Sequence, residues 1–144
     1  MGGNMIELDI FSTTFDIEQG SFVVLFGESG VGKTTTLQNL KNKYPDDILF
    51  PYPEDNGADR WHDVIKSANF RYNIYLFDEP TNYDLDREVR IEIIQMLRSL
   101  HKQGNTIIMA SHDWAANEYA TRIVEMFDNK TVVDHGIGMF WRVL

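Results

Sequence analysis

One glycine-rich segment, placed directly after an apolar strand, constrains the fold of this chain more than any other feature. Residues 22–26 read FVVLF, and a run that is apolar at every position is typical of a parallel strand buried on both faces. Residues 27–35 read GESGVGKTT and match the pattern G-x-x-x-x-G-K-[ST], in which a loop leads from a strand into a helix. We predict that helix over residues 33–43. The segment therefore predicts a strand, a phosphate-binding loop and a helix in succession.

The residue types in this loop suit a magnesium-bound polyphosphate. Its glycines allow successive backbone N–H groups to turn toward one point, to which the helix N-terminus adds its positive end. We expect Lys33 to reach the β- and γ-phosphates and the Thr34 hydroxyl to bind Mg²⁺. A glycine-rich turn that matches by chance would not explain the strand, the spacing and the lysine together. The predicted nucleotide-binding residues are Gly27, Ser29, Gly30, Val31, Gly32, Lys33, Thr34 and Thr35.

Two carboxylates stand side by side at the end of another buried strand. The segment YLFDEPTN places Asp78 and Glu79 directly after a predicted strand over residues 73–77. Carboxyl ends of parallel strands meet at one edge of a sheet, where open α/β folds bind ligands. We expect Asp78 to hold Mg²⁺, directly or through water, because the ion offsets the repulsion between the two acids. Glu79 is then placed to orient or deprotonate a water that attacks the γ-phosphate, although it also fits a plain turn residue before Pro80.

A histidine follows a third buried strand. Residues 106–110 read TIIMA and lead into His112. A lone histidine in this position is more often structural, but the strands ending at Gly27, Asp78 and His112 direct chemically matched groups to one place. We interpret His112 as a sensor of the γ-phosphate. The predicted catalytic residues are Glu79, His112 and Lys33, and the predicted Mg²⁺ ligands are Thr34 and Asp78.

The rest of the chain alternates short apolar runs with longer amphipathic segments, which is an α/β pattern. The predicted strands cover residues 6–10, 13–17, 21–26, 47–52, 73–77, 106–110, 122–127 and 131–134. The predicted helices cover residues 33–43, 58–68, 86–103 and 114–119. One face of the helix over residues 86–103 carries the apolar residues Val89, Ile93, Ile94, Leu97 and Leu100. At a length of 144 residues we expect one domain over residues 1–144.

The composition narrows the classes of partner and location. The chain has 22 acidic and 13 basic residues and a formal net charge of −9, so its averaged field repels phosphodiester backbones. We therefore expect no direct binding of nucleic acid. The absence of cysteine excludes disulfides and thiolate metal sites, and it suits a reducing cytosol. The longest apolar run, over residues 22–26, is too short to cross a bilayer, and the amino terminus does not read as a signal peptide. We expect a cytoplasmic protein without membrane contact of its own.

Together these segments resemble the ATP-binding cassette (ABC) ATPases. The resemblance lies in GESGVGKTTTLQNL as the Walker A segment, YLFDEPTN with the following LD as the Walker B segment, and TIIMASHD as the switch segment. It extends to GSFVVLFG before the loop and to ATRIVEMFDNKTVVDHG near the end. It implies a P-loop NTPase three-layer sandwich with a mostly parallel sheet of ABC/RecA-like strand order, in which the His112 strand lies between the loop strand and the Asp78 strand.

The resemblance also carries roles to particular residues. It implies a P-loop ATPase that uses ATP and Mg²⁺, with Glu79 as the catalytic base and His112 as the switch histidine. It makes Asp86 a counterpart of the acidic residue in the D-loop, although that loop is one residue longer here because Tyr83 and Asp84 separate DEPTN from LD.

The chain departs from the family in what it lacks. Only 45 positions separate Lys33 from Asp78, and they contain no LSGGQ-like signature and no clear Q-loop glutamine. The helical subdomain is missing, and with it the loop that a partner subunit places on the γ-phosphate. We therefore expect slow hydrolysis of ATP to ADP and phosphate, and a need for another protein or a different subunit for full activity. Phe11 and Phe15 are candidates for stacking on the base, but we expect both to belong to the core.

Two other functions stay open at this point. Trp61, Trp114 and residues 139–141 are candidates for a surface that ATP orders for binding another protein, with little hydrolysis. Arg60 and Arg71 are candidates for holding the acceptor of a small-molecule kinase. The residues do not decide between ATP and GTP, and they identify neither the partner nor the oligomeric state.

Overall fold

The structure is a computed structural model that describes residues 5–49, 74–80, 86–112 and 120–136. The elements in these ranges are β1 (Met5–Ile10), β2 (Thr13–Glu18), β3 (Phe22–Phe26), α1 (Lys33–Lys43), β4 (Ile48–Leu49), β5 (Ile74–Asp78), α2 (Arg87–Lys102), β6 (Thr106–Ser111), β7 (Arg122–Met126) and β8 (Val132–Gly136). Strands β1 and β2 form a hairpin, and the other six form one sheet in the order β4-β5-β6-β3-β7-β8. Within the described ranges, neither helix has the length and apolar character needed to span a membrane.

The central sheet is parallel from β4 to β7, and β8 runs antiparallel to β7. Strand β6 lies between β3 and β5, which confirms the strand order that the resemblance implies. Phe26 of β3 is paired with Ser111 of β6, and Asp78 of β5 is paired with Ala110. Because these parallel strands end in matching register, the segments that follow β3, β5 and β6 emerge at one edge of the sheet.

Side chains alternate between the two faces of the sheet and build two cores. On one face, Val23 and Leu25 of β3 are fully buried together with Leu37 of α1 and with the apolar side of the hairpin. On the other face, Phe22 and Val24 are fully buried against α2. The hairpin contributes Ile6, Leu8, Ile10 and Ile17 to the first core, and α2 contributes Ile93, Leu97 and Leu100 to the second core. This arrangement confirms the predicted α/β three-layer sandwich with a mostly parallel sheet.

Two basic residues, Lys43 of α1 and Arg122 of β7, form polar contacts with the β1–β2 hairpin. Lys43 Nζ, at the end of α1, lies 3.4 Å from Glu7 Oε1 and 3.2 Å from Asp9 Oδ2 on β1. On the other side of the hairpin, Arg122 Nη1 donates to the backbone carbonyl of Asp16 at 2.6 Å. Lys43 therefore does more than complement the dipole at the C-terminus of α1, since it also ties that helix to β1.

The element boundaries agree closely with the predicted ones. Helix α2 begins at Arg87, and Asp86 is its N-cap in an extended conformation. Strand β4 occupies Ile48–Leu49, inside the predicted strand over residues 47–52. The predicted helices over residues 58–68 and 114–119 lie outside the described residues. The same holds for the D-loop residues before Asp86 and for the residues of the alternative functions, namely Tyr83, Asp84, Arg60, Trp61, Arg71, Trp114 and residues 139–141.

Phe11 contradicts the prediction that it belongs to the core. Its side chain is 37% exposed, in the turn between β1 and β2. The prediction is wrong because the hairpin is tight: Ile10 pairs with Thr13, so Phe11 occupies the turn itself, with φ of 56°. Phe15, by contrast, is partly buried and packs against the first core as expected.

Two isoleucines of α2 offer a matched test of the packing. Ile93 is fully buried in the second core, whereas Ile91 on the same helix is 45% exposed. We expect Ile93→Ala to lower the free energy of unfolding by about 2–5 kcal/mol, because it leaves a cavity. Ile91→Ala makes the same change in helix propensity without a cavity, so we expect a change within about 0.5 kcal/mol. Urea unfolding followed by circular dichroism measures both variants, and equal losses would mean that α2 does not pack on the sheet through Ile93.

Candidate nucleotide-binding site

Three segments of the chain meet beyond the carboxyl ends of β3, β5 and β6. The Gly27 amide donates to the Ser111 carbonyl at 3.1 Å, and the Glu79 amide donates to the Ala110 carbonyl at 2.9 Å. These bonds continue the strand pairing past the ends of β3 and β5. The loop after β3 and the acid pair after β5 are thereby fixed relative to the end of β6, which leads directly into His112.

The loop between β3 and α1 requires its glycines for two different reasons. Gly30 and Gly32 have φ of 88° and 114°, in the left-handed region that glycine adopts without strain. Gly27 is required for space, because a Cβ built there would lie 2.7 Å from the Met126 carbonyl oxygen. The loop and the acid pair line a pocket of about 290 Å³ at the N-terminus of α1. The lining residues are Ser29, Gly30, Gly32, Lys33, Thr34, Thr35, Asp78 and Glu79.

Lys33 is almost completely buried, with 5% of its side chain exposed. Its Nζ donates to the Gly27 carbonyl and, at 3.0 Å, to the Glu28 carbonyl. It also lies 3.3 Å from Glu79 Oε1, with which it forms an ion pair. A buried ammonium requires such partners because its removal from water is costly. The loop carbonyls and Glu79 thus fix the positive charge of Lys33 at the wall of the pocket.

Thr34 and Asp78 form the second pair at the pocket. The Thr34 hydroxyl donates to Asp78 Oδ2 at 2.5 Å. Burial raises the pKa of the Asp78 carboxyl, the charge of Glu79 acts in the same direction, and the Thr34 hydrogen bond and the charge of Lys33 oppose the rise. A divalent cation beside Asp78 would stabilise the ionised form. Because the Thr34 proton points to Asp78, the hydroxyl oxygen keeps lone pairs for that cation.

The chemistry of this donor set fits Mg²⁺. In the described part of the chain, no group of three or more His, Asp or Glu side chains is arranged to hold a metal ion. Mg²⁺ does not need such a cage, since it is commonly bound by one or two protein groups together with water and substrate phosphates. One hydroxyl and one carboxylate, from Thr34 and Asp78, are therefore a sufficient protein contribution.

Glu79 links Lys33 to His112. Its Oε2 lies 2.8 Å from His112 Nδ1, while its Oε1 faces Lys33. Glu79 has φ of 50°, a left-handed conformation that is uncommon for a residue with a side chain and that concentrates at functional sites. Its side chain is 26% exposed and therefore accessible to water. A carboxylate that is fixed in position and meets water is placed to act as a general base.

The structure brings the predicted catalytic and metal-binding residues together. Val31 lies in the loop beside the first core, and Phe11 lies in the turn between β1 and β2. The Val31 amide donates to the Glu28 carbonyl at 3.3 Å, and its side chain packs against the first core. The Phe11 ring reaches the loop, with Cε1 3.8 Å from where a Cβ on Gly32 would lie. The sequence held a signal for this position, because the predicted strands over residues 6–10 and 13–17 leave only a tight turn for Phe11.

Comparison with known proteins gives a match over most of the chain. A family model described as "AAA domain" matches residues 16–127. The macrolide export ATP-binding/permease protein MacB of Pectobacterium atrosepticum is 41% identical over 61 residues, which are 42% of this chain and 9% of that protein. The MacB of Agrobacterium fabrum is 43% identical over 61 residues, with the same two coverages. The chain thus spans 9% of the length of these curated relatives.

Two solved structures share the fold. The protein cbiO1 from Clostridium perfringens, part of the ABC transporter complex cbiONQ, aligns with a TM-score of 0.66 and 18% identity over 91% of this chain and 82% of that chain. The ATP-binding cassette MJ0796, in a dimeric post-hydrolysis state bound to ADP and Pi, aligns with a TM-score of 0.61 and 17% identity over 85% of this chain and 88% of that chain. The chain belongs to the AAA domain family of P-loop ATPases, and its fold is that of an ABC ATPase nucleotide-binding domain.

Proposed function

We propose that this chain is a minimal ABC-type ATPase whose single domain, residues 1–144, binds ATP with Mg²⁺ and hydrolyses it slowly to ADP and phosphate. One observation carries the proposal: an ammonium, a hydroxyl, two carboxylates and an imidazole lie at one edge of the sheet in two groups of direct contacts, Thr34 with Asp78 and Glu79 with Lys33 and His112. Phosphoryl transfer requires positioning of the phosphates, a metal site and a group that activates water. The five side chains divide these tasks among them.

The pocket at the N-terminus of α1 is the proposed phosphate site. Loop amides and the helix dipole favour anions there, and Lys33 is proposed to contact the β- and γ-phosphates. Thr34 and Asp78 are proposed to hold Mg²⁺, which when bound neutralises charge on the phosphate oxygens. The volume of about 290 Å³ lies at the lower limit of ligand pockets, so it suits the phosphates and leaves the base outside it.

Glu79 and His112 are proposed to act on the attacking water and the γ-phosphate. Glu79 takes the role of general base, because its carboxylate is next to the phosphate site and accessible to water. His112 orients that carboxylate through the contact with Nδ1 and is proposed to sense the γ-phosphate. Lys33 completes the catalytic group by stabilising negative charge on the phosphates.

Phe11 is the proposed platform for the base. It lies in an exposed turn, and its ring reaches the region of Gly32, where α1 and the phosphate pocket begin. Aromatic rings stack on bases of every kind, so this contact supports nucleotide binding without selecting ATP over GTP. The proposal that the nucleotide is ATP rests on the membership of the chain in this ATPase family.

Full activity is proposed to require another protein or a different subunit. The sequence contains no signature loop of the kind that covers the γ-phosphate in this family, and a stabilising group supplied in trans accelerates phosphoryl transfer by about 10³–10⁵-fold in related systems. The MacB relatives are named as ATP-binding/permease proteins, and cbiO1 is described as part of a transporter complex. A cytoplasmic location, no membrane contact by this chain alone and no direct nucleic-acid binding are part of the proposal.

Glu79→Gln tests the general base. The change keeps the shape of the side chain but removes its basicity, so we expect kcat for MgATP hydrolysis to fall by about 10²–10⁴-fold while ATP still binds. Glu18→Gln is the control: Glu18 is next to Ser21 at the start of β3, away from the site, and this variant should keep the wild-type rate. Release of ADP and of phosphate are measured in parallel.

Each outcome of this assay separates the proposed functions. Equal turnover by Glu79→Gln and the wild type would remove Glu79 from its role. With small-molecule acceptors added, ADP formation without free phosphate would identify a kinase, and ATP binding without turnover by the wild type would favour a nucleotide-dependent switch.

Phe11→Ala tests the base platform. Loss of one stacking contact is expected to weaken ATP binding by about 5- to 150-fold, which corresponds to roughly 1–3 kcal/mol, and to leave the binding of inorganic tripolyphosphate unchanged. Met5→Ala is the control, because Met5 is 44% exposed at the opposite end of β1 from Phe11 and should not affect either ligand. Titration calorimetry measures both ligands on all three proteins. An equal loss for ATP and tripolyphosphate would show that Phe11 supports the loop and does not contact the base.

A further inference from the structure

The ammonium of Lys33 is surrounded by oxygen atoms of the protein. A lysine ammonium has three N–H groups. Nζ of Lys33 faces three oxygen atoms, which are the carbonyls of Gly27 and Glu28 and Oε1 of Glu79. A phosphate oxygen that binds Lys33 must therefore replace one of these three. The identity of the replaced partner determines what phosphate binding does to the rest of the site.

The Glu79 carboxylate is the partner that can leave at the smallest cost. The carbonyls of Gly27 and Glu28 belong to the loop backbone, and the Gly27 amide is bonded to the end of β6. Glu79 reaches Lys33 with a partly exposed side chain, whose second oxygen is held by His112. The carboxylate can rotate away from Lys33 and keep its contact with His112, whereas displacement of either carbonyl requires the loop itself to change shape.

We propose that Glu79 is an internal competitor for the nucleotide phosphates. This inference rests on the function proposed above and gives Glu79 a second role besides that of general base. Its carboxylate occupies Lys33 and must be displaced when a β-phosphate arrives, so the Lys33–Glu79 contact lowers nucleotide affinity. The same displacement releases Oε1 of the carboxylate toward the water that it activates. Phosphate binding and activation of the base are therefore one coupled event.

The competition has a measurable size. An ion pair with one nearly buried partner is stronger than an exposed pair, and its contribution corresponds to about fivefold or more in a binding constant. Removal of the charged contact from Lys33 should therefore raise the affinity for ADP and for pyrophosphate by about fivefold or more. These two ligands are the chosen probes, in EDTA, because neither is hydrolysed by this chemistry and neither then depends on Mg²⁺.

Two substitutions of Glu79 separate competition from simple charge repulsion. Glu79→Gln removes the charge, so it raises affinity by either mechanism. Glu79→Asp keeps the charge but is shorter by one methylene, so it cannot hold both Lys33 and His112 at their present distances. Aspartate also tolerates the left-handed backbone at this position. Competition predicts that both variants bind ADP more tightly than the wild type, whereas repulsion predicts a gain for Glu79→Gln alone.

A second background tests whether the effect passes through Lys33. In Lys33→Met, which removes the ammonium and keeps an unbranched side chain, Glu79→Asp should no longer change the affinity for pyrophosphate. Urea unfolding of every variant establishes that it is folded before titration. If Lys33→Met does not fold, the comparison of Glu79→Asp with Glu79→Gln in the wild-type background decides the matter by itself.

The outcomes distinguish this inference from the proposed function. Unchanged ADP affinity in Glu79→Asp, or a gain that persists in Lys33→Met, overturns the competition and leaves ATP binding and hydrolysis in place. A wild-type protein that binds neither ADP nor pyrophosphate overturns the proposed function, and the competition with it. Gains in both Glu79 variants that disappear with Lys33 support the inference.

Discussion

The position of β6 between β3 and β5 is the constraint on which the whole site depends. The carbonyls of Ser111 and Ala110 accept bonds from the amides of Gly27 and Glu79, so the loop and the acid pair are placed by the register of one strand. A slip of that register by one residue would turn fully buried side chains to the opposite face of the sheet. Burial of β3, β5 and β6 on both faces therefore supplies the energy that holds the polar groups in place.

The electrostatics of the site follow from this placement. One ammonium, from Lys33, stands beside the two carboxylates of Asp78 and Glu79, so these three groups carry an excess of negative charge when both acids are ionised. A polyphosphate approaching such a group is repelled unless other positive terms act on it. The loop amides and the N-terminus of α1 provide fixed partial charges, and a divalent cation at Asp78 would provide the remainder. Burial and the neighbouring charge of Glu79 raise the pKa of the Asp78 carboxyl. A divalent cation bound there would lower that pKa and keep the carboxyl ionised.

Local sequence patterns predict the described elements and the residues that lie together at one edge of the sheet, because strand burial, the glycine spacing and the position of acids after a strand are all short-range features. The strand order is a long-range property and came from the resemblance. The pairing of Lys43 with Glu7 and Asp9 joins residues more than thirty positions apart, and no local pattern contains it. The core prediction for Phe11 follows from its hydrophobicity, and it is wrong because the tight turn between β1 and β2 leaves this side chain exposed. The Lys33–Glu79 contact was not predicted either, since residue types alone assign both side chains to phosphate and water.

Helix α1 connects the two parts of the proposed nucleotide site. Its N-terminus follows Gly32 and forms one side of the phosphate pocket, while Lys43 at its last turn holds β1. The turn after β1 contains Phe11, whose ring lies close to Gly32. The proposed base platform and the phosphate loop thus both lie against α1. A shift of the hairpin along α1 would move the platform relative to the phosphates, and the burial of Ile6, Leu8, Ile10 and Ile17 in the first core opposes such a shift.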